Sequence, residues 1–269
     1  MSRLTSRRTR AFMTDSQPPA EFLRLVEAQQ IAFDPGDLDR LGSYLDRLEE
    51  ANRRFNLTAI TDRESMWVRH IADSLTLLPL LASVQAKRVV DVGSGGGLPG
   101  IPLAIAMPEA QVTLVESTGK KVRFLEQTAE ALGLSNVTVV QERAETLAHR
   151  REYREAFDAA VARAVGKLPV LLELTMGFLR VGGFLFAVKG ERAGEEIEQS
   201  RQAAHLLHCH IAETHRTETG TIVVVEKLRR SPKIYPRRPG EPNRAPLGGK
   251  AVKQALSEPL PEDEHDSVE

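Results

Sequence analysis

Cysteine is almost missing from this chain, and long apolar runs are missing altogether. Cys209 is the single cysteine in 269 residues, so no internal disulfide forms and no cysteine pair is available for a metal. No stretch is apolar for the roughly 18 residues of a membrane span, and the N-terminal residues lack the apolar core of a secretory signal. We therefore expect a cytoplasmic protein, in a reducing compartment, with no membrane contact and no metal site.

Aromatic residues are also scarce, at 5%, whereas 41% hydrophobic and 27% charged residues are typical of a folded domain. The scarcity argues against an RNA-binding sheet that stacks many bases. The net charge is only -1, but the charges are clustered. Four arginines and no acid occur in residues 1–14, nine basic residues and one acid in 227–253, and six acids in 258–269. These local runs, and not the net charge, indicate possible partners.

Composition and periodicity divide the chain into four segments. They are predicted as a disordered basic tail (1–17), an N-terminal helical unit (18–85), an α/β domain (86–228) and a proline-rich basic tail with an acidic end (229–269). Within the helical unit, the third helix is expected to run from Glu64 to Leu81, with Asp62 as its N-cap. In the last segment, the prolines exclude regular helix.

The α/β domain is predicted from seven short strand-like runs. The first five alternate with helical patterns, which favours a parallel, doubly wound sheet of the Rossmann-like type. The last two runs, 208–214 and 221–227, have no helical pattern between them and are expected to form an antiparallel hairpin at the sheet edge. The predicted fold class is therefore α/β, with a seven-stranded, mostly parallel sheet that has an antiparallel last strand, preceded by the helical unit.

The strongest signal is the glycine-rich turn DVGSGGGLPG at residues 91–100. It follows a strand and opens a helix, which is the context that a nucleotide-binding loop requires. Gly93 and Gly95 place no side chain where a ligand touches the backbone, and the helix start behind them attracts a carboxylate or a phosphate. A tight turn without a ligand is the plainer interpretation, but four glycines within residues 93–97 are more than a turn needs.

Two ligands fit this turn. The glycines match the G-x-G-x-x-G pattern, and Glu116 ends the next strand at the spacing of a carboxylate that binds ribose hydroxyls. Both features suit NAD and S-adenosylmethionine equally. Asp91, two residues before the first glycine, and the lack of a second substrate domain favour S-adenosylmethionine. Ala144 and Glu145, just after the third strand, are expected to contact the adenine, with a solvated helix start as the alternative.

The type of methyl acceptor is narrowed by what the domain lacks. The proline-proline loop of adenine-amine methylases is absent after the fourth strand, and Cys209 lies in a predicted edge strand, a poor place for the nucleophile of a pyrimidine C5 methylase. A ring nitrogen such as guanine N7 needs neither device. Arg163 is the candidate to hold guanine O6 or a phosphate, and Arg143 is the second candidate, although each also fits a structural ion pair. Lys189 leaves a sugar 2′-hydroxyl methylase as an alternative.

Two further side chains carry both a catalytic and a structural interpretation. His70 and Asp73 stand three residues apart on the third predicted helix, so a general-base pair is conceivable. We interpret them as structural, since guanine N7 carries no proton to remove. They are expected to join the helical unit to the glycine loop by hydrogen bonds.

Several segments together resemble one known family. They are NLTAITDRESMWVRHIADSL (56–75), VVDVGSGGGLPGIPLAI (89–105), ESTGKKVRFL (116–125), ARAVGKL (162–168) and the ending IYPRRPGEPNRAPLG (234–248). This combination resembles the 7-methylguanosine methyltransferases of bacterial small-subunit ribosomal RNA, also called methyltransferase G or glucose-inhibited division protein B. The resemblance covers roughly residues 20–248.

The resemblance implies a cytoplasmic enzyme that transfers a methyl group from S-adenosylmethionine to N7 of a guanine in 16S ribosomal RNA, free or within the 30S subunit, and we expect this enzyme to be a monomer. The cofactor contacts that it implies are Gly93, Leu98, Glu116, Ala144, Glu145 and Arg163, beside Gly95 of the same loop. The RNA contacts that it implies are Lys120, Lys121, Arg123 and Arg163.

The basic ending suggests further RNA contacts. Arg237 and Arg238 are expected to bind phosphates, with a solvated tail as the alternative. Two other functions remain open at this point. They are a nicotinamide-dependent oxidoreductase and a non-catalytic RNA-binding module of ribosome assembly.

Overall fold

A computed structural model describes residues 17–249 of the chain. The predicted basic tail up to residue 16 and the acidic end from residue 250 lie outside the described residues. Within the described range, no helix combines the length and hydropathy that crossing a bilayer demands. The same range contains no group of three or more His, Cys, Asp or Glu side chains placed to hold a metal ion.

A seven-stranded sheet forms the centre of the molecule, as predicted. Its strands are β1 (Arg88–Val92), β2 (Gln111–Glu116), β3 (Val137–Gln141), β4 (Phe157–Arg163), β5 (Leu179–Lys189), β6 (Cys209–Arg216) and β7 (Thr221–Lys227). Their spatial order is β3-β2-β1-β4-β5-β7-β6, and every pair is parallel except those of β7, which is antiparallel to both β5 and β6. The predicted edge hairpin is confirmed. Since the strand order reverses between β1 and β4, a crevice opens at their carboxyl ends.

Helices cover both faces of the sheet and build the N-terminal unit. The N-terminal helices are α1 (Ala20–Ala28), α2 (Asp37–Asn52), α3 (Arg63–Met66), α4 (Asp73–Leu75) and α5 (Leu78–Ser83). Those that follow are α6 (Gly100–Ala106), α7 (Gly119–Ala131), α8 (Ala144–Leu147), α9 (Leu168–Met176), α10 (Ala193–Leu206) and α11 (Glu241–Arg244).

Side chains of the strands alternate between two apolar cores. In β1, Val89 packs into one core, whereas Val90 packs into the other on the opposite face. The core around Val89 is shared with the N-terminal helices, where the rings of Phe22 and Trp67 are buried with centroids 4.8 Å apart. The helical unit and the sheet are therefore packed as one body.

The third predicted helix is correct in its start but wrong in its continuity. The Asp62 side chain accepts a hydrogen bond from the Ser65 amide at 2.8 Å, which is the expected N-cap. A π-helical turn, Trp67–Ala72, then separates α3 from α4, and α5 begins only after a further break. Near these breaks, side-chain hydroxyl groups donate hydrogen bonds to backbone carbonyls. Ser74 Oγ, for example, donates to the His70 carbonyl at 2.6 Å.

The proline-rich ending differs from its prediction as well. Residues 229–249, called the C-terminal strap below, are folded back onto the α/β domain and contain the short helix α11, so the expectation of no regular helix was wrong. Pro242 is tolerated because it stands in the first turn of α11, where no amide donor is required. The Arg154 guanidinium anchors the strap by donating to the carbonyls of Ser231, Pro232 and Tyr235 at 3.0, 3.2 and 3.1 Å.

Candidate functional site

The glycine-rich loop between β1 and α6 is held by a buried carboxylate. Asp91 is fully buried, and its Oδ2 accepts a hydrogen bond from the Gly100 amide at 3.0 Å. Burial raises the pKa of Asp91 to about 7. A Cβ on Gly100 would lie 2.3 Å from the Leu114 side chain, so this glycine serves helix–strand packing. Asp91 therefore fixes the loop and does not itself face a ligand.

Gly93 and Gly95 have different reasons to be glycine. Both have left-handed backbone angles, with φ of +75° and +58°. A Cβ on Gly93 would lie 2.8 Å from Val165, so packing excludes a side chain there. A Cβ on Gly95 would find no neighbour closer than 3.8 Å and would instead stand in the cavity that this glycine lines. The absence of a side chain at Gly95 thus leaves this part of the cavity open.

Glu116 closes the loop from the end of β2. Its Oε2 accepts a hydrogen bond from the Gly95 amide at 3.1 Å, and its Oε1 accepts one from the Thr118 amide at 2.8 Å. The side chain is largely buried but lines a cavity. A carboxylate fixed at this place can accept hydrogen bonds from the two hydroxyls of a ribose.

Two cavities meet at this loop, and Gly93 lines both. The smaller has a volume of about 150 Å³ and lies between Glu116 and the start of α8, with Ala144 and Asn243 in its wall. The larger has a volume of about 610 Å³ and extends from the glycine loop towards the N-terminal helices and the ends of β4 and β5. Gly93 is therefore the residue at which the two cavities adjoin.

The residues predicted to contact adenine line the smaller cavity, and one of them is already engaged. Ala144, Glu145 and Arg143 all line this cavity. The buried Glu145 carboxylate accepts hydrogen bonds from Arg143 at 3.1 Å and from the Gly240 amide of the C-terminal strap at 2.9 Å. Arg143 is therefore an ion-pair partner of Glu145, which is the structural interpretation considered for it.

The larger cavity contains Arg163 at the end of β4. Its Nη1 donates to the Arg69 carbonyl at 2.8 Å and to Asp73 Oδ2 at 3.1 Å. The other oxygen of Asp73 accepts a hydrogen bond from the Thr219 hydroxyl, in the turn between β6 and β7. One buried carboxylate thus ties the N-terminal unit to β4 and to the edge hairpin, and it fixes the direction of the guanidinium.

His70 completes this network as a neutral side chain. Its Nδ1 lies 3.3 Å from Arg163 Nη2, and its Nε2 lies 2.7 Å from the Thr58 hydroxyl. Nδ1 also lies 3.2 Å from the Arg69 backbone carbonyl, so both a donor and an acceptor face this nitrogen. Burial, reinforced by the charge of Arg163, lowers the pKa of His70 to about 4. His70 and Asp73 therefore bind Arg163 and do not form a general-base pair.

The lysine and the cysteine considered from the sequence are placed differently. Lys189 lines the larger cavity, but its ammonium donates to the Gly166 carbonyl at 2.6 Å and pairs with Glu196 at 2.7 Å. Cys209 begins the edge strand β6 and is buried, and burial raises the pKa of its thiol to about 12. The thiolate required of a nucleophile is therefore strongly disfavoured.

The predicted RNA contacts fall into three places. Lys121 lines the larger cavity together with Leu98 and Arg163. Lys120 and Arg123 are exposed on α7 and line a neighbouring groove of about 330 Å³. Arg238 is exposed on the strap, whereas Arg237 is engaged by the fully buried Glu173 in α9.

Sequence reasoning missed two contributions to the site. Asn243 lines the smaller cavity although it is about 100 residues beyond the other lining residues of α8, and no spacing rule connects the two regions. Thr219, in the hairpin turn, was not singled out either. For Asn243, the family resemblance of the segment IYPRRPGEPNRAPLG was the one available signal. For Thr219, the sequence offered no signal.

The strand order, the glycine loop after β1 and the carboxylate at the end of β2 define the class of Rossmann-like methyltransferases. Solved structures agree in fold. The cofactor-bound protein Rv0187 from MTB has a TM-score of 0.54 at 20% identity, covering 80% of this chain and 99% of that one. The O-methyltransferase TomG from Streptomyces achromogenes, solved in complex with SAM, has a TM-score of 0.53 at 14% identity, covering 81% and 100%.

Comparison of sequences identifies the family. The family model described as rRNA small subunit methyltransferase G matches residues 37–222. The chain is 46% identical over 222 residues to the ribosomal RNA small subunit methyltransferase G of Sorangium cellulosum, covering 82% of this chain and 92% of that protein. It is 44% identical over 237 residues to the protein of the same name from Deinococcus deserti, covering 86% and 97%. The chain therefore belongs to the rRNA small subunit methyltransferase G family, and the resemblance seen in the sequence is confirmed.

Proposed function

We propose that this chain transfers a methyl group from S-adenosylmethionine to N7 of a guanine in small-subunit ribosomal RNA. The observation that carries the proposal is the pair of cavities that meet at Gly93. The smaller lies beside Glu116, which suits a nucleoside, and the larger is lined by Arg163, Lys121 and Arg69, which suits an RNA base with its phosphate. The names of the relatives supply the RNA, and the family resemblance supplies guanine N7.

The donor half of the site fits S-adenosylmethionine. Glu116 would accept hydrogen bonds from the ribose hydroxyls, Ala144 would lie against the adenine, and Gly95 would leave room for the methionine part beside Leu98. When bound, this cofactor supplies an electrophilic methyl group on a sulfonium. The residues of the chain then have only to align the donor with the acceptor and keep water out.

The described residues that line the acceptor half of the site include no free base, which agrees with a ring nitrogen as nucleophile. Guanine N7 attacks through its own lone pair, so no proton has to be removed. His70 is neutral and already bound to Thr58 and Arg163, and Lys189 is paired with Glu196. Arg163 retains its charge in the cavity, where it suits guanine O6 or a phosphate.

The form of the RNA follows from the position of N7. This atom lies in the deep major groove of an A-form helix, which side chains cannot enter, so the target guanine must be unpaired or extruded. The proposed enzyme is a monomer of the cytoplasm, where its ribosomal substrate resides. It consists of a methyltransferase domain (86–228) and a helical unit (18–85) that supplies one wall of the acceptor cavity through Thr58 and His70.

The test uses methyl-labelled S-adenosylmethionine with free 16S ribosomal RNA and, in parallel, with 30S subunits. We expect label at N7 of one guanine, detected by borohydride reduction and aniline cleavage of the strand at that nucleotide. Arg163→Lys keeps the charge beside Asp73 but loses the planar fork, so we expect methylation to fall by about tenfold or more. Label on another base, or no label on either RNA, would overturn the proposal.

A further inference from the structure

We infer that Asn243 of the C-terminal strap reads the adenine of the cofactor, so that this segment is part of the donor site. The inference rests on the proposed use of S-adenosylmethionine and adds a residue that recognises its base. The strap contacts α8 through the hydrogen bond from the Gly240 amide to Glu145, and Asn243 stands in the wall of the cavity that is also lined by Glu116 and Ala144.

The strap is held firmly enough to position a side chain. Its arginine Arg237 binds the buried Glu173 with Nε and Nη2 at 2.8 and 2.6 Å, and the His149 ring lies 2.7 Å from the Pro236 carbonyl. Gly240, in the left-handed conformation at φ +83°, donates its amide to Glu145 at 2.9 Å. These contacts fix the backbone on both sides of the turn that leads into α11.

The contact from Gly240 occupies part of a side chain that was expected to contact the adenine. Gly240 and Arg143 share Oε1 of Glu145, which leaves only Oε2 of that carboxylate for a ligand. The carboxamide of Asn243 forms no hydrogen bond with another described residue and is exposed at the cavity. Its Oδ1 lies 3.6 Å from the place of a Cβ on Gly166, so the amide stands beside the loop between β4 and α9.

A carboxamide matches the edge of adenine. It offers one acceptor for the amino group and one donor for a neighbouring ring nitrogen, which is the bidentate pairing that Asn makes with adenine in nucleic-acid recognition. The pairing with adenine uses the amino group and N7; on that edge hypoxanthine presents two acceptors, its carbonyl oxygen and N7, so the oxygen of the carboxamide finds no donor there. Asn243 would therefore favour an adenine-containing cofactor over its deaminated analogue.

The test measures the Kd of S-adenosylhomocysteine and of S-inosylhomocysteine by titration calorimetry. For the unaltered protein, we expect tighter binding of the adenine compound. For Asn243→Ala, we expect its binding to weaken on the order of tenfold while the inosine compound changes less, so that the preference is lost. Asn243→Asp keeps the size and the acceptor but loses the donor, and it should fall between the two.

The control is Arg244→Ala, because Arg244 lies on the same helical turn, is exposed and does not line the cavity. It should bind both compounds as the unaltered protein does. If the unaltered protein binds S-adenosylhomocysteine and Asn243→Ala binds both compounds with unchanged Kd, the role of Asn243 is refuted while the proposed function stands. If the unaltered protein binds neither compound, the proposed function fails with it.

Discussion

Replacing Arg237 by alanine should unfold the protein more easily and leave its contacts with RNA phosphates largely unchanged. Glu173 is fully buried in α9, and it accepts hydrogen bonds from the Arg237 backbone amide, Nε and Nη2 at 2.8, 2.8 and 2.6 Å. Alanine would remove two of these three hydrogen bonds and also the positive charge that pairs with the Glu173 carboxylate. Arg237 was expected from the sequence to bind phosphate, so the variant tests two roles at once.

The size of the effect follows from burial. Breaking a buried ion pair from one side costs about 3–5 kcal/mol, because the other charge is left without a partner. Since the Arg237 side chain keeps 21% of its exposure, water screens part of the charge and the lower value of about 3 kcal/mol applies. For a chain of this size, that corresponds to a decrease in Tm of roughly 6–12 °C.

The assay is thermal unfolding followed by circular dichroism, with RNA binding measured at several salt concentrations well below the Tm. Arg238→Ala is the matched control, because Arg238 is adjacent in the chain and exposed. Its Tm should stay within about 1–2 °C of the unaltered protein. The slope of log K against log salt for its RNA binding should decrease by the amount expected for about one phosphate contact. The double variant Arg237→Met with Glu173→Leu should recover most of the lost stability. An unchanged Tm for Arg237→Ala, with weaker RNA binding, would refute the reasoning.

Three further outcomes can be checked. Gly95→Ala should weaken binding of S-adenosylhomocysteine by at least tenfold. The control is Gly133→Ala, because Gly133 has a similar φ of +64° and open space around it; this variant should lose only about 1 kcal/mol of folding stability through backbone strain. Equal binding by both variants would contradict the fit of the loop. The pKa of Asp91 is raised to about 7 in the folded protein, so this group lowers the free energy of unfolding as the pH rises from about 4 to 7, by up to about 1.4 kcal/mol per pH unit. Urea titrations should therefore show that Asp91→Asn gains stability relative to the unaltered protein over that range. Lys120→Ala combined with Arg123→Ala should lower the slope of log K against log salt for RNA binding by about 1.4–1.8, and an unchanged slope would place the RNA elsewhere.

The sheet could be predicted closely because its strands leave a strong local signal. The buried strands β1 and β4 are short apolar runs whose ends are marked by glycine or by a polar residue, and the glycine loop follows β1 directly. The hairpin of β6 and β7 was recognisable from the absence of a helical pattern between two strand-like runs. Such features depend on neighbouring residues and so can be seen in one sequence.

The contacts that shape the site could not be predicted in the same way. Arg163 was found as a candidate, but its partners Arg69 and Asp73 lie about 90 residues earlier in the chain, and Thr219 lies in a turn with no pattern of its own. The π-helical turn was also hidden, since inserting one extra residue in a turn hardly disturbs an apolar pattern over a short segment. The strap was misjudged because many prolines predict an irregular chain but not where that chain packs.

The core shared by Phe22, Trp67, Val89 and Leu114 limits how this protein can be shortened. Residues from the first helix onward fill the same apolar core as the central strands, so a fragment that starts at β1 would expose an apolar face of the sheet to water. Such a fragment would be prone to self-association even though every strand and the glycine loop remained in it. A minimal version for engineering therefore has to retain the N-terminal helices, including those far from any bound nucleotide.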